Sequence, residues 1–462
     1  MADVWLGDAC SLVDAMRAGE LSPTEALEAS LKAIENSRLN AFCFIDEEGA
    51  RERAASADVS LPFGGVPVGI KELDPVVGWP WSEASLLFDG RIATYNKTWY
   101  DRLLKAGGAN PIGQTIASEF GGLNISNSKI HGVTGNPWNP AKTAGGSSGG
   151  SSSAVAGGLV PIGSGGDGGG SIRIPAAFCG LLGMKGTAGR IPRGPNTEIA
   201  PLTVVLGCQA RSVRDVARWY DVCSGYDSRD PYSLPRVDGW ERALGSSSLG
   251  GARVVISPDL GSAVVRPEVA ALVVEAAEAL IRDAGLTRVD VPVTMPQLGY
   301  EWAMCNLVGL KGSLEAMWPE RKDDLTQEIA FGLTIAHEVY NIDLAAKAEE
   351  QRTQANETMA ALFDEVDFVI SATNPDVAFP ADIGINTRVG DQTVGPENNG
   401  ALTIPANIVG NPGVSIPVGL VDGLPVGMQV MATHHRDAAL LDLALIVERE
   451  RPWPLVAPDA PR

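Results

Sequence analysis

Three segments of the sequence place serine or lysine beside several glycines, a combination suited to nucleophilic chemistry. Ser147 lies in the run GGSSGGS, Ser171 ends the run DGGGS, and Lys71 ends the run GVPVGIK. The two serines lie 24 residues apart. A serine hydroxyl is a weak nucleophile until a base accepts its proton. The chemistry therefore depends on which of these segments act together.

The same region fits two other motifs. Residues 163–168 match the G-x-G-x-x-G pattern of dinucleotide sites, but residues 169–197 contain no Asp or Glu that could bind a ribose. Residues 145–149 match the G-x-S-x-G elbow of Ser-His-Asp hydrolases, with Ser147 as the nucleophile. Three of the four histidines lie downstream of this elbow, so an esterase of that type stays open as an alternative.

The pattern of apolar residues predicts the elements that hold these segments. Residues 143–171 alternate Gly-Ser runs with apolar stretches, which a flexible linker would lack. We interpret them as loop, buried helix, strand and loop. The apolar run at residues 66–70 predicts a buried strand that leads into Lys71.

Alternating helices and strands are predicted outside this region. Ser22, Pro23 and Glu25 form a helix-start pattern with a cap, a first-turn proline and a capping-box acid. Helical spacing is present across residues 296–360. Further strands are predicted at residues 253–256, 366–370, 413–418 and 427–431, and further helices at residues 267–284 and 437–448.

Taken together, Lys71, Ser147 and Ser171 resemble the Ser–Ser–Lys centre of the amidase signature family in order and spacing. The resemblance covers most of the chain and is weakest across about residues 225–395. Segments that also look like the family lie at residues 113–120, 135–140, 178–183, 405–407 and 423–429.

The resemblance implies an α/β fold in one large domain over residues 1–462, with a mixed central β-sheet covered by helices on both faces. The core motifs would lie at residues 65–190 and 400–450. Residues 225–395 would form the variable region around the substrate pocket.

The resemblance also implies a role for each member of the centre. Ser171 would attack the carbonyl, Ser147 would relay the proton, and a neutral Lys71 would act as the base. A cis peptide bond is expected at Gly146–Ser147. Backbone N–H groups at the end of the glycine run would bind the oxyanion, and they belong to Gly168, Gly169, Gly170 and Ser171.

Four further residues receive expected roles. Ser148 and Arg173 would orient the centre, and Gly121 would contact substrate through its backbone. Cys305 lies in a predicted pocket helix, where it either contacts substrate or fills the core. One departure from the family is Glu72, which stands where an Asp usually follows the lysine.

Composition excludes several classes of function. The formal net charge of −20 would repel a phosphate backbone, so no nucleic-acid partner is expected. No apolar run reaches the roughly 20 residues of a membrane span, and no secretory signal precedes the first helix. The six cysteines form no C-x-x-C pair, so we expect free thiols in the cytoplasm and no metal or organic cofactor.

The substrate is the least readable property. Apolar side chains across residues 302–318, Trp302 and Trp318 among them, favour a small hydrophobic or aryl amide, with a carbamate (urethanase activity) as a further candidate. The main alternative is the glutaminase subunit of a tRNA amidotransferase. A non-catalytic binding protein of the same fold is a third. The chain is expected to act as a monomer or homodimer.

Overall fold

A mixed β-sheet of eleven strands runs through the protein. The structure is a computed structural model that describes residues 5–197 and 200–460. The strands along the chain are β1 (Phe42–Ile45), β2 (Pro67–Lys71), β3 (Asn110–Thr115), β4 (Asn127–Ser128), β5 (Gly132–Val133), β6 (Gly135–Asn136), β7 (Asn139–Thr143), β8 (Ile162–Asp167), β9 (Leu182–Lys185), β10 (Val205–Ala210), β11 (Arg253–Ile256), β12 (Thr287–Arg288), β13 (Phe368–Ala372), β14 (Arg388–Val389), β15 (Gln392–Thr393), β16 (Gly413–Val421) and β17 (Leu424–Ala432). The large sheet has the order β1-β3-β2-β8-β10-β9-β16-β17-β13-β11-β12, and the remaining strands form three small hairpins.

Helices flank this sheet. They are α1 (Ala9–Arg17), α2 (Pro23–Asn36), α3 (Glu47–Ala55), α4 (Thr98–Lys105), α5 (Gly149–Ala156), α6 (Arg173–Cys179), α7 (Val213–Cys223), α8 (Pro267–Ala284), α9 (Gly299–Leu314), α10 (Gln327–Glu338), α11 (Ile342–Glu365), α12 (Ile404–Val409) and α13 (Asp437–Glu450). Short 3₁₀ turns lie at Leu86–Phe88, Glu119–Gly121, Glu315–Met317, Lys322–Asp324 and Pro396–Asn399. The predicted α/β fold with a mixed central sheet is confirmed.

Strand direction brings the predicted site residues to one edge of the sheet. Strand β2 pairs in parallel with both β3 and β8. Parallel strands end at the same edge, so Lys71 at the end of β2 and Asp167 at the end of β8 face the same side. The Gly168–Ser171 turn leaves β8 at that edge.

Helix α5 explains the Gly-Ser composition of its segment. All eight of its residues are buried, and none is larger than valine. A Cβ added at Gly150 would lie 2.4 Å from the backbone N of Ile116, so the helix and the backbone of the neighbouring segment approach too closely for a side chain. The predicted order of loop, buried helix, strand and loop is confirmed.

Most predicted element boundaries agree with the structure. The helix at 267–284 is found with both predicted ends, and Ser22 and Glu25 form the predicted capping box. The predicted strand at 366–370 was wrong by two residues, because the carboxylate of Asp367 accepts the N–H of Arg253 and the ladder begins at Phe368. Among the described residues, no helix has both the length and the apolar character needed to cross a bilayer.

Candidate active site

Lys71 is buried and directly contacts two serine hydroxyls. Its Nζ lies 2.7 Å from Ser147 Oγ and 2.9 Å from Ser148 Oγ. The carbonyl of Gly166, 3.4 Å away, is a weaker third partner. The structure therefore brings together Lys71, Ser147 and Ser148, which lie 76 and 77 residues apart in the sequence.

The surroundings of Lys71 disfavour its charged form. Burial lowers the pKa of Lys71 to about 8, although Asp74, Asp167 and Glu72 act in the opposite direction. Asp74 is itself buried, and burial raises the pKa of its carboxyl to about 6. A lysine in this range can exchange a proton near neutral pH, which an exposed lysine cannot do.

Ser147 is held by tight backbone packing. The Gly146–Ser147 peptide bond is cis, as the resemblance implied. A Cβ added at Gly146 would lie 2.3 Å from the carbonyl oxygen of Ile125, so the position before Ser147 admits only glycine. Gly121 also lies here, and a Cβ added to it would come within 3.5 Å of Ser147 Oγ.

Ser171 lies in the turn between β8 and α6 and is 9% exposed. Gly170 in this turn has a φ of 130°, a conformation that L side chains rarely adopt. The N–H of Gly170 donates to Asp167 Oδ1 at 2.8 Å. This bond removes Gly170 from the four predicted oxyanion donors, because its N–H already has an acceptor. The N–H groups of Gly168, Gly169 and Ser171 have no backbone acceptor within the part of the chain that the structure describes, so they remain candidates for that role.

A buried ion pair lies beneath the turn. Arg173 and Asp167 are both fully buried, and their side chains form hydrogen bonds at 3.0 and 2.9 Å. Burial alone would raise the pKa of Asp167, but the Arg173 guanidinium holds it well below its usual range. Asn407 donates to the same carboxylate at 2.8 Å. Arg173 therefore contacts the turn through Asp167, as the orienting role expected of it requires.

Two side chains that lie far from the turn in the sequence hold the carbonyls of the turn. The indole Nε1 of Trp302 donates to the carbonyl of Gly168 at 2.6 Å. The hydroxyl of Thr403 donates to the carbonyl of Gly169 at the same distance. Sequence reasoning assigned neither residue to the centre. The only features of the sequence that pointed toward these two residues were the apolar segment around Trp302 and the family-like segment that follows Thr403.

Cys305 is not brought to the centre. Its sulfur lies 4.0 Å from the guanidinium of Arg352, and the structure gives it no contact with Lys71 or either serine. The predicted substrate contact is therefore not supported by its position. Trp302, three residues earlier in the same helix, is the side chain that contacts the turn.

The four histidines have partners away from the serines. His131 pairs with Glu72 at 2.8 Å, His337 stacks on Trp318, and His434 bonds to the carbonyl of Val409. His435 lies 3.3 Å from Arg190. No histidine in the described chain hydrogen-bonds to Ser147, so this geometry favours the lysine over a histidine as its base.

Glu72 joins a small polar cluster behind Lys71. Its carboxylate also accepts the N–H of Ala117 at 2.7 Å, and Cys43 lies close to it and to His131. These residue types can ligate a metal. Here the hydrogen bonds to His131 and Ala117 already satisfy the carboxylate of Glu72, which fixes the chain just after Lys71.

Comparison with known proteins identifies the family to which the chain belongs. The sequence model of the Amidase family matches residues 25–441. An acylamidase from Rhodococcus erythropolis is 31% identical, with 97% of this chain and 96% of the relative covered. A subunit of the glutamyl-tRNA(Gln) amidotransferase from Chloroflexus aggregans is also 31% identical, with 97% of each chain covered. The crystal structure of a bacterial aryl acylamidase is similar with a TM-score of 0.89 at 27% identity, covering 98% of this chain and 97% of that one.

The chain belongs to the amidase family, whose amidase signature it carries. It is accordingly a hydrolase of amide C–N bonds. The two groups of relatives act in different settings, one on acyl amides and one within an amidotransferase, so family membership does not by itself select the substrate.

Proposed function

We propose that the protein hydrolyses small hydrophobic or aryl amides through an acyl-enzyme on Ser171. The observation that carries the proposal is the 2.7 Å contact between Ser147 and a buried Lys71 whose pKa is lowered to about 8. A serine paired with such a lysine can pass on a proton, and the glycine turn supplies N–H donors where an oxyanion would form.

The proposed reaction has two balanced steps. Ser171 Oγ bonds to the carbonyl carbon while its proton passes to Ser147, and the proton of Ser147 passes to Lys71. The C–N bond then breaks, and the relay returns a proton to the leaving amine. Water next attacks the acyl ester by the same route, which frees the acid and restores Ser171.

Apolar surfaces near the centre support a hydrophobic acyl or aryl group. Ile329 of α10 packs on Gly122, where an added Cβ would lie 2.7 Å from its Cδ1. The ring of Trp302 lies against Gly169, where an added Cβ would lie 3.0 Å from two ring carbons. Glutamine would need partners for both a carboxylate and an amine, whereas these two walls are apolar. Carbamates present the same carbonyl chemistry and are included as candidate substrates.

A substrate panel with the purified chain tests the proposal. It contains an anilide, an aliphatic amide, glutamine, an aryl ester and an aryl carbamate. We expect the anilide to be cleaved without partner chains or cofactor, chelator to leave the rate unchanged, and Ser171→Ala to lower it roughly a thousandfold. Preferential cleavage of glutamine would instead support the amidotransferase alternative.

Two further measurements separate the remaining alternatives. A sulfonyl fluoride should label Ser171, and mass spectrometry should locate the label on that residue. A chain that is neither labelled nor active would support the alternative of a non-catalytic binding protein. Lys71→Ala should abolish turnover, while His337→Ala should retain it. The reverse pattern would support the Ser-His-Asp esterase and overturn the proposal.

A further inference from the structure

The turn that carries Ser171 is held from outside by a residue of the variable region. Trp302 belongs to α9, and its indole N–H donates to the carbonyl of Gly168, 134 residues earlier in the chain. Its ring also lies against Gly169, where an added Cβ would come within 3.0 Å of two ring carbons. The side chain of Trp302 therefore fixes the orientation of the Gly168–Gly169 peptide and covers one side of it.

The orientation of that peptide follows from its planarity. The bond is trans, so the N–H of Gly169 points opposite to the carbonyl of Gly168. With the carbonyl directed at the indole of Trp302, the N–H of Gly169 is directed to the far side of the turn. It has no acceptor within residues 5–197 and 200–460.

The Gly169–Gly170 peptide has the same arrangement, with its carbonyl held on one side and its N–H directed to the other. Thr403 holds the carbonyl of Gly169, and the N–H of Gly170 points the other way, to the carboxylate of Asp167. That second donor is used inside the protein. The first, on Gly169, is oriented and unused, which is what a preorganised oxyanion donor requires.

We infer that Trp302 is a positioning residue that aims the N–H of Gly169 at the developing oxyanion. The inference rests on the proposed function, since it assumes that Ser171 is the nucleophile. The hydrogen bond to the carbonyl of Gly168 also polarises the peptide, which strengthens the N–H of Gly169 as a donor. Trp302 thereby acts on the transition state through the backbone and not through contact with the reacting atoms.

Trp302→Phe is the test, because it keeps an aromatic ring at this position and removes the indole N–H together with the second ring, a change that the control variant reproduces elsewhere. We expect kcat on the anilide to fall by roughly tenfold to a hundredfold, with KM changed less than about twofold. The matched control is Trp453→Phe, which deletes an indole bond of 3.0 Å to the carbonyl of Arg211, away from the turn. The control should keep the parent kcat.

A trifluoromethyl ketone analogue of the anilide gives a second readout. Ser171 Oγ adds to its carbonyl carbon, the serine proton passes to the relay, and the ketone oxygen becomes the bound oxyanion. Trp302→Phe should weaken this inhibitor by about the same factor as kcat, while a non-reactive amide analogue should bind as before. Trp302→His, which restores a ring N–H, should recover part of the loss.

Several results would overturn the inference. An unchanged kcat in Trp302→Phe would do so, as would equal losses in kcat, inhibitor affinity and ground-state binding together with a lowered Tm. Should Trp302→Phe fail to fold, Trp302→His carries the test by the same kcat and inhibitor measurements. Retained turnover in Ser171→Ala would point instead to failure of the proposed function.

Discussion

At the scale of single residues, two opposing influences set the state of Lys71. Burial disfavours the ammonium, whereas Asp74, Asp167 and Glu72 favour it. Burial is the larger effect, since the pKa falls from 10.5 to about 8. The neutral form of Lys71 becomes more populated as pH rises through the neutral and mildly alkaline range. The buried carboxyls therefore affect the pH at which Lys71 loses its proton.

A pH–rate profile tests this balance. In the proposed mechanism the active form carries a neutral Lys71, so kcat/KM should rise as pH increases through about 8 and then level off. Asp74→Asn removes a negative charge that favours the ammonium, so the rise should move to lower pH by roughly half a unit to one unit. Asp74 is ionised in this range, because its own pKa is about 6.

The control for this profile is Asp89→Asn, which removes an exposed acid nearby in the sequence. Its profile should superimpose on that of the parent. A rise that stays in place in Asp74→Asn, or that moves to higher pH, would contradict the assignment of Lys71 as the base. A rate that peaks near pH 5 in the parent would do the same.

At the scale of elements, two contacts fix helices α9 and α10 to the sheet edge. One is the bond from Trp302 to Gly168. The other is Glu119, whose carboxylate accepts both the N–H and the hydroxyl of Thr326, the cap of α10. This second contact sets the position of Ile329 against Gly122, and with it one apolar wall of the centre.

Thr326→Val should loosen that wall while preserving the shape of the side chain. We expect a loss of about 1 kcal/mol in unfolding free energy and a several-fold rise in KM for bulky anilides, with kcat little changed. Urea unfolding and steady-state kinetics measure the two effects. Thr353→Val on the exposed face of α11 is the matched control, since its hydroxyl bonds only within its own helix at 3.0 Å. An unchanged KM in Thr326→Val would argue against Ile329 as a substrate wall.

Local sequence predicted the elements well and the contacts between them poorly. The apolar run before Lys71 and the small residues of α5 could be interpreted directly, because spacing and size determine such elements. The bond from Trp302 to Gly168 has no such signal, since it depends on how a distant helix packs on the turn. The expectation that Cys305 contacts substrate stays a prediction, because sequence spacing does not show which side chain of a distant helix packs on the turn.

At the scale of the whole molecule, Arg173 joins the two halves of the chain across the sheet. It bonds to Asp167 beside the turn that carries Ser171, and to Gln429 on β17 at 2.7 Å and Asn407 on α12 at 2.6 Å. The early and late family segments therefore meet at one buried guanidinium. This meeting point holds the turn of Ser171 in a fixed relation to the C-terminal half.

Arg173→Met should destabilise the protein severely. It leaves Asp167 as an uncompensated buried charge, which typically costs about 3–5 kcal/mol. Urea unfolding of the full chain measures the change, and adding Asp167→Asn to the same variant should recover part of it. Arg51→Met breaks two exposed pairs, with Glu28 and Glu47, and should cost far less, because exposed ion pairs contribute little to stability. Equal losses of unfolding free energy in the two single variants would show that the buried pair stabilises the protein no more than exposed pairs do.

The placement of α9, α10 and α11 has a consequence for protein engineering. The segment from Gly299 to Glu365 leaves the sheet after β12 and returns at β13, and these two strands flank β11 at one end of the sheet. It can therefore be exchanged as a cassette between related enzymes without cutting through the nucleophile turn. A chimera of this kind has to retain the contacts that join the segment to the rest of the chain, among them the bonds from Trp302 to Gly168, from Thr326 to Glu119 and from Arg352 to the carbonyl of Pro201. We expect the substrate range of such chimeras to vary while Lys71, Ser147 and Ser171 keep their positions.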